Sequence, residues 1–372
     1  MKHFILTCLI NTLCIITSVA QKNIPLVENM NLTECKLSDY ASSVNYVPLE
    51  TTDECLLAEE LQVITTTQYI FVHDQIMYKV YRFDKTSGKY LNMVGSRGQG
   101  PGEYTRLLGF YVDDTDKKCF LLCNTGIYMY DYEGTFLKKE VLPHYYCPTG
   151  MERIGDSYVL NNMLYIDTKK ELCLIDMQSK IKKEKELSYK PQIGFMLPAT
   201  FFFKMDGQCY YKNDLSENIY ILNDRLDMQP AYLIDCGKKV TNPKDRQIDD
   251  IGNPLTKDNI IVVRITGYNN ILYIPYFVNG KRLLAIYNIK TGSVITAGKA
   301  GKSGMTDDLS DGPMILPPAK TSLYHSCVPN QLVSWFFPAD IEESQFQKGE
   351  FGKLIKQLDE DSNPIIRIIN LK

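Results

Sequence analysis

Apolar residues along the chain fall in short runs with β-branched and aromatic content, separated by Gly, Asp, Asn and polar clusters, and almost no helical period appears before residue 340. The pattern predicts an all-β protein. One unit recurs in it: an aromatic or aliphatic strand, an Asp or Asn, a Gly-rich or polar turn, then another strand. It appears at Tyr81-Arg82-Phe83-Asp84, Tyr130-Asp131, Leu174-Ile175-Asp176, Ile221-Leu222-Asn223 and Tyr287-Asn288. An Asp or Asn there closes the turn with its side-chain oxygen, and a following Gly accepts positive φ, so each unit reverses at the same place. Counted between these markers and a sixth at Asp340, the steps are 47, 45, 47, 65 and 52 residues. Four-stranded propeller blades run about 40 to 50 residues, so the spacing predicts six blades in a β-propeller with one insertion. The polar stretch 237–259, with Pro243 and Pro254, is where that insertion is expected.

Two segments depart from the repeat. Phe351, Leu354, Ile355 and Leu358 make one helical stripe, which predicts a short helical insertion over 342–359, stopped by Asn363-Pro364. Residues 365–371 and Val44 to Leu49 both read as buried strands. A propeller must close its ring, so the two are expected to share the last blade. The expected organisation is a lead-in segment over 21–43 followed by the propeller over 44–372.

The first twenty residues have a basic start, an apolar stretch from Phe4 to Ile16 and a Ser18-Val19-Ala20 end, which reads as a secretory signal peptide cleaved before Gln21. The apolar run is too short and interrupted for a bilayer of about 30 Å, so no transmembrane segment is expected after its removal, and the protein is expected to be exported, periplasmic or associated with the cell surface. Lipidation at Cys14 is disfavoured by Leu13 before it and stays open. Two of the eleven cysteines fall in this leader. The remaining nine are an odd number with neither metal-knuckle nor dense disulfide spacing, and most read as small buried hydrophobes. Cys119 and Cys123, four apart in one strand, lie about 13 Å apart and cannot pair. With 41 Lys+Arg against 44 Asp+Glu and no basic block, the charge excludes a nucleic-acid binder driven by bulk charge.

The stretch Tyr46-Val47-Pro48-Leu49-Glu50-Thr51, the segment Val80 to Asp84 with Gly88-Lys89, the loop Gly95-Ser96-Arg97-Gly98-Gln99-Gly100-Pro101-Gly102-Glu103-Tyr104, the stretch from Asp307-Asp308 to Gly312-Pro313 and the terminal Asn363-Pro364 strand together resemble a six-bladed β-propeller family of secreted or lipid-anchored Gram-negative envelope proteins. The resemblance covers essentially the whole mature chain, with the Gly-rich loop its most specific part. It implies a fold and an envelope location and no settled activity, since distant propellers include ligand binders, lyases and lactonases.

Candidate chemistry is sparse. The 95–104 loop lacks the spacing of a dinucleotide cradle, and Pro101-Gly102 prevents a helix from starting there. It reads as an inter-blade connection needing positive φ, with Gly98 and Gly100 as the candidates. In the functional alternative, Arg97, Gln99, Glu103 and Arg106 project at the ring entrance and hold a polar ligand. Gly298-Lys299-Ala300-Gly301-Lys302-Ser303 ends like a phosphate-binding loop, but Thr296 stands where its first glycine is required. Asp307, Asp308 and Asp311 are the metal candidates, as ligands for calcium, or else form a solvated acidic turn. No other cofactor is expected. His73, His144 and His325 show no metal-ligand spacing, and no catalytic elbow occurs. The function expected is a noncatalytic ligand-binding or scaffold module recognising a glycan, peptide or envelope protein through a face where the 95–104 loop, the 237–259 insertion and the 303–313 turn converge. Its alternative is a metal-assisted lyase or hydrolase with a site at the axial channel.

Overall fold

The computed structural model describes residues 21–26, 31–163, 169–187, 201–213, 216–237, 260–262, 264–278, 281–315, 323–342, 346 and 348–372. The leader over 1–20 and nearly all of the 237–259 insertion therefore lie outside the described residues. The rest is an all-β propeller with one short helix.

Each blade is an antiparallel meander. Blade 1 contains Leu61–Thr65, Tyr69–Asp74, Lys79–Asp84 and Tyr90–Met93. Blade 2 contains Leu107–Asp113, Lys118–Cys123, Gly126–Asp131 and Phe136–Glu140, and blade 3 contains Pro148–Ile154, Ser157–Asn162, Lys170–Asp176 and Ile181–Glu186. Blade 4 runs from Phe201–Met205 to Met228–Asp235, and Lys22–Pro25 extends its outer edge in parallel. Blade 5 has two short inner strands, Ile260–Val262 and Thr266–Tyr268, both paired with Ile271–Val278. Leu32–Thr33 extends its outer edge. Gln331–Phe336, Ile365–Leu371 and Ala41–Pro48 form a three-stranded sheet that joins the two ends of the chain. Buried apolar clusters lie between successive sheets all the way round, and this is where the core sits.

The expected six blades are corrected to five. Leu323–Ser326, placed to be the inner strand of a sixth blade, pairs in parallel with Leu61–Thr65 of blade 1, so the closing sheet keeps three strands. The marker arithmetic fails at the same point. Asp84, Asp131, Asp176, Asn223 and Asn288 each accept backbone N–H bonds in the hairpin between the third and fourth strands of one blade. Asp340 instead accepts from Phe337 N in an isolated 3-10 turn, which is not a blade hairpin.

The helix is also shorter than expected, spanning Gly349–Ile355 rather than 342–359. Gly349 enters it at φ +73°, and Gln357 and Leu358 tighten its end with bonds to Leu354 O and Ile355 O. Its stripe still packs as read: Phe351 and Ile355 are buried against Ile365, with Leu354 and Leu358 at the margin.

Candidate functional site

The hairpins between first and second strands bring charged side chains to the centre of the ring. Strands in these positions are covered on both faces and normally read as apolar runs. Four interrupt that rule: Asp113 closes the first strand of blade 2, Glu152 and Arg153 sit inside that of blade 3, and Lys204 sits between Phe203 and Met205 in blade 4. Together with Arg264 to Tyr268 of blade 5 and the Ser326–Val333 segment, they enclose an axial cavity of about 310 Å³.

The charges are cross-linked between blades. Tyr111 of blade 2 donates to Glu152 Oε1 at 2.9 Å, and Lys204 Nζ of blade 4 reaches the same oxygen at 2.9 Å. Arg153 Nη1 lies 3.0 Å from Asp113 Oδ2 and 3.3 Å from Asp116 Oδ2, while Tyr158 donates to Asp113 Oδ2 at 2.6 Å. Asp113 and Glu152 are both almost wholly buried, so these partners offset a desolvation cost that an isolated carboxylate could not meet. Burial, reinforced by Glu152, pushes the Tyr111 hydroxyl far above its ordinary value. Desolvation works against the Lys204 ammonium, and Glu152 more than offsets it, so its pKa is raised. The Cys327 thiol on the cavity wall is pushed up by burial and then by Glu152, which makes it a poor nucleophile.

The 95–104 loop sits elsewhere. It feeds the start of Leu107–Asp113, whereas the cavity is at the end of that strand, about 20 Å away by strand rise and on the opposite face of the ring. Arg97, Gln99 and Arg106 are exposed. The Arg97 guanidinium lies over the Tyr78 ring at 5.4 Å. Glu103 turns inward and accepts from Gly100 N at 2.7 Å, and Tyr104 N bonds Ser96 O to close the loop on itself. The glycines at positive φ are Gly95 and Gly102, not Gly98 and Gly100. Gly98 packs against the Glu103 carboxylate, and a Cβ there would stand 2.0 Å from Oε2 and push that side chain aside.

The three aspartates are drawn to separate partners. Asp307 accepts from Tyr46 OH at 2.6 Å and from Ser310, and Asp308 accepts from Ser38 N and Oγ at 2.9 and 2.6 Å. Asp311 takes a left-handed conformation at the end of the turn. Among the described residues, no group of three His, Cys, Asp or Glu side chains is arranged to hold a metal ion. The described cysteines are all free thiols, seven of them buried. His73 is buried with Nε2 unpartnered, and that burial alone pulls its pKa down to about 3. His144 is exposed, and neither residue lines the cavity.

Sequence reasoning missed Asp113, Glu152, Arg153 and Lys204 as a group. The available signal was a charge inside an otherwise apolar strand, as in Met151-Glu152-Arg153-Ile154 and Phe202-Phe203-Lys204-Met205.

Among solved structures, the chain is similar to a "putative exported protein" from Bacteroides fragilis, with 18% identity, a TM-score of 0.69, and coverage of 95% of this chain and 99% of that one. It also matches a member of the DUF4221 family from Bacteroides vulgatus (10% identity, TM-score 0.49, 89% and 97% covered) and a streptogramin B lyase (12%, 0.45, 89% and 98%). At these identities the first likeness shows the fold alone. No curated protein matches the chain. No helix among the described residues is long and apolar enough to cross a membrane. The family model described as a domain of unknown function, DUF4934, matches residues 21–370, and the chain belongs to that family.

Proposed function

We propose that the protein is an exported β-propeller of the cell envelope that binds a small polar ligand in its axial cavity without converting it. The observation that carries this reading is the cavity itself: separate blades deliver Asp113, Glu152, Arg153 and Lys204 to one concave space of about 310 Å³, at the small end of the range for ligand sites. Ion pairs inside a core stabilise little compared with apolar packing, so charges concentrated at one concave place are better accounted for by recognition. A binding role fits the lining better than turnover, because Glu152 and Asp113 are each committed to a phenol and a cation and the Cys327 thiol is suppressed. Export rests on the signal-peptide pattern and agrees with the name given to the B. fragilis relative in fold. In this reading Arg97, Gln99 and Arg106 are surface residues of a structural loop, with Glu103 as its internal clasp.

A thermal-shift screen of small polar compounds tests the proposal. A ligand present at 100 times its Kd stabilises the folded state by about 2.7 kcal/mol, a shift of roughly 4 °C for a chain of this size. The expected result is at least one such compound whose shift is lost in Lys204→Met. A shift that survives that substitution for every active compound would place binding outside the cavity.

A further inference from the structure

We propose that the ligand of the axial cavity is a small zwitterion carrying one carboxylate and one ammonium group, with the size of a free amino acid or a dipeptide; this rests on the binding role given to the cavity above. Its volume equals that of about ten waters at roughly 30 Å³ each, which admits such a molecule and excludes an extended glycan chain.

The charges select both ends of the ligand. An ammonium has three N–H donors, and Lys204 directs one to Glu152 Oε1 at 2.9 Å while 44% of its side chain remains exposed. Donors are therefore left for an incoming carboxylate, and Arg264 lines the same cavity from the neighbouring blade. Two residues beyond Lys204, just past the end of the strand Phe201–Met205, Asp206 begins the Asp206-Gly207 hairpin turn at φ +51°. It lines the cavity, is exposed, and makes no hydrogen bond or ion pair among the described residues, so its carboxylate is free to take an ammonium group.

A ligand with only negative charge would face the buried carboxylates Asp113 and Glu152. One with only positive charge would face Lys204, Arg153 and Arg264. Either meets like charge at close range in a partly desolvated space, where repulsion is much stronger than in water. A neutral ligand can hydrogen-bond these groups but leaves the free charge of Asp206 and of the exposed part of Lys204 uncompensated as water is displaced, which costs affinity. A molecule with both charges, one at each pole, avoids all three penalties. Tyr268 at the rim supplies an apolar face for its side chain.

The experiment is isothermal titration calorimetry of the mature chain against the protein amino acids and a panel of dipeptides, each compared with its N-acetyl and C-terminal amide forms. At least one parent zwitterion should bind, and blocking either end should weaken it tenfold or more. Asp206→Asn should abolish discrimination against the N-acetyl form, and Lys204→Met discrimination against the amide. Asparagine tolerates the left-handed turn conformation, so Asp206→Asn keeps the test open should Lys204→Met fold poorly. Blocked forms that bind as well as their parents, or a panel in which nothing binds, overturn the zwitterion. A neutral saccharide that binds and is weakened by Lys204→Met would overturn it too, while leaving the cavity as the binding site. Binding that no cavity variant alters would remove both proposals.

Discussion

Asn363 is the sharpest test of how the ring closes. It precedes the terminal strand Ile365–Leu371 and is 1% exposed. Its side-chain oxygen accepts from Leu57 N at 2.9 Å, and its amide nitrogen donates to Glu50 O at 2.7 Å and Cys55 O at 2.6 Å. Three backbone groups from the segment between the Ala41–Pro48 strand and blade 1 are thus held by one residue from the far end of the chain. Asn363→Ala leaves the Leu57 N–H and the Cys55 carbonyl without partners in buried surroundings, at about 1–3 kcal/mol each, while the Glu50 carbonyl can turn to water. The net cost is about 2–6 kcal/mol. Unfolding entropy of about 2.1 cal/mol/K per residue over roughly 350 residues converts this to a fall of about 3–8 °C in Tm. Calorimetry gives the magnitude, and hydrogen exchange locates it: protection should drop at Leu57 and along Ile365–Ile368 while blades 2 and 3 stay unchanged. A Tm change below about 1.5 °C, or a loss of protection spread over all blades, would show that Asn363 is not the clasp.

Three further outcomes follow from the same contacts. His73 is held neutral by burial with its pKa at about 3, against about 6.5 unfolded. The unfolded chain therefore takes up a proton that the folded chain refuses, and stability falls by up to about 1.4 kcal/mol per pH unit as pH drops from 6.5 towards 3. Denaturant melts at pH 7 and pH 5 should show that fall, and His73→Phe should reduce it; an unchanged slope would rule out His73 as its source. Gly109→Ala, whose Cβ would stand 2.3 Å from Thr149 O where blades 2 and 3 meet, should cost at least about 1–3 kcal/mol in urea denaturation. Glu103→Ala removes the bond to Gly100 N and should lower stability by about 1 kcal/mol, while Arg97→Ala stays within about 0.5 kcal/mol. Equal effects from the two would contradict the internal role of Glu103.

The sequence carried the repeat because turn chemistry is local. The five Asp or Asn residues that cap blade hairpins do so with oxygens two to four residues from their donors, and such a contact leaves a mark at fixed spacing. Asp340 has the same local chemistry in a turn that reverses no hairpin, so the marker alone could not distinguish them. The fate of Leu323–Ser326 depended on a parallel partner some 260 positions earlier in the chain, at Gln62 to Thr65, and no periodicity encodes that choice. The cavity was hidden for a similar reason. Glu152 is a single charge in one strand, and its significance comes from Tyr111 and Lys204, about 40 and 50 residues away on two other blades. The Gly-rich loop drew attention because its composition is unusual, yet unusual composition there answers a steric demand: Gly98 makes room for Glu103, and Gly95 and Gly102 take positive φ against Tyr130 and Phe136.

The contacts that shape the cavity also hold neighbouring blades together. Tyr111 ties blade 2 to Glu152 of blade 3 and Tyr158 ties blade 3 to Asp113 of blade 2; outside the cavity lining, Tyr211 of blade 4 donates in the same way to Glu171 of blade 3 at 2.9 Å. The first two of these carboxylates therefore cannot relax without loosening a blade interface, and their charge is fixed in place before any ligand arrives. Fixed charge lowers the cost of binding, because the site has no side-chain entropy left to lose at those positions. The same coupling limits what mutagenesis can separate. Substituting Glu152 or Asp113 disturbs the seam between blades 2 and 3 and the cavity floor together, so lost binding there would say little about recognition. Asp206 is different. It stands on a hairpin turn, makes no hydrogen bond across a blade interface among the described residues, and lines the same space. Because the cavity's buried carboxylates are tied into the seam between blades as well as into the site, Asp206 is where recognition and stability can be measured apart.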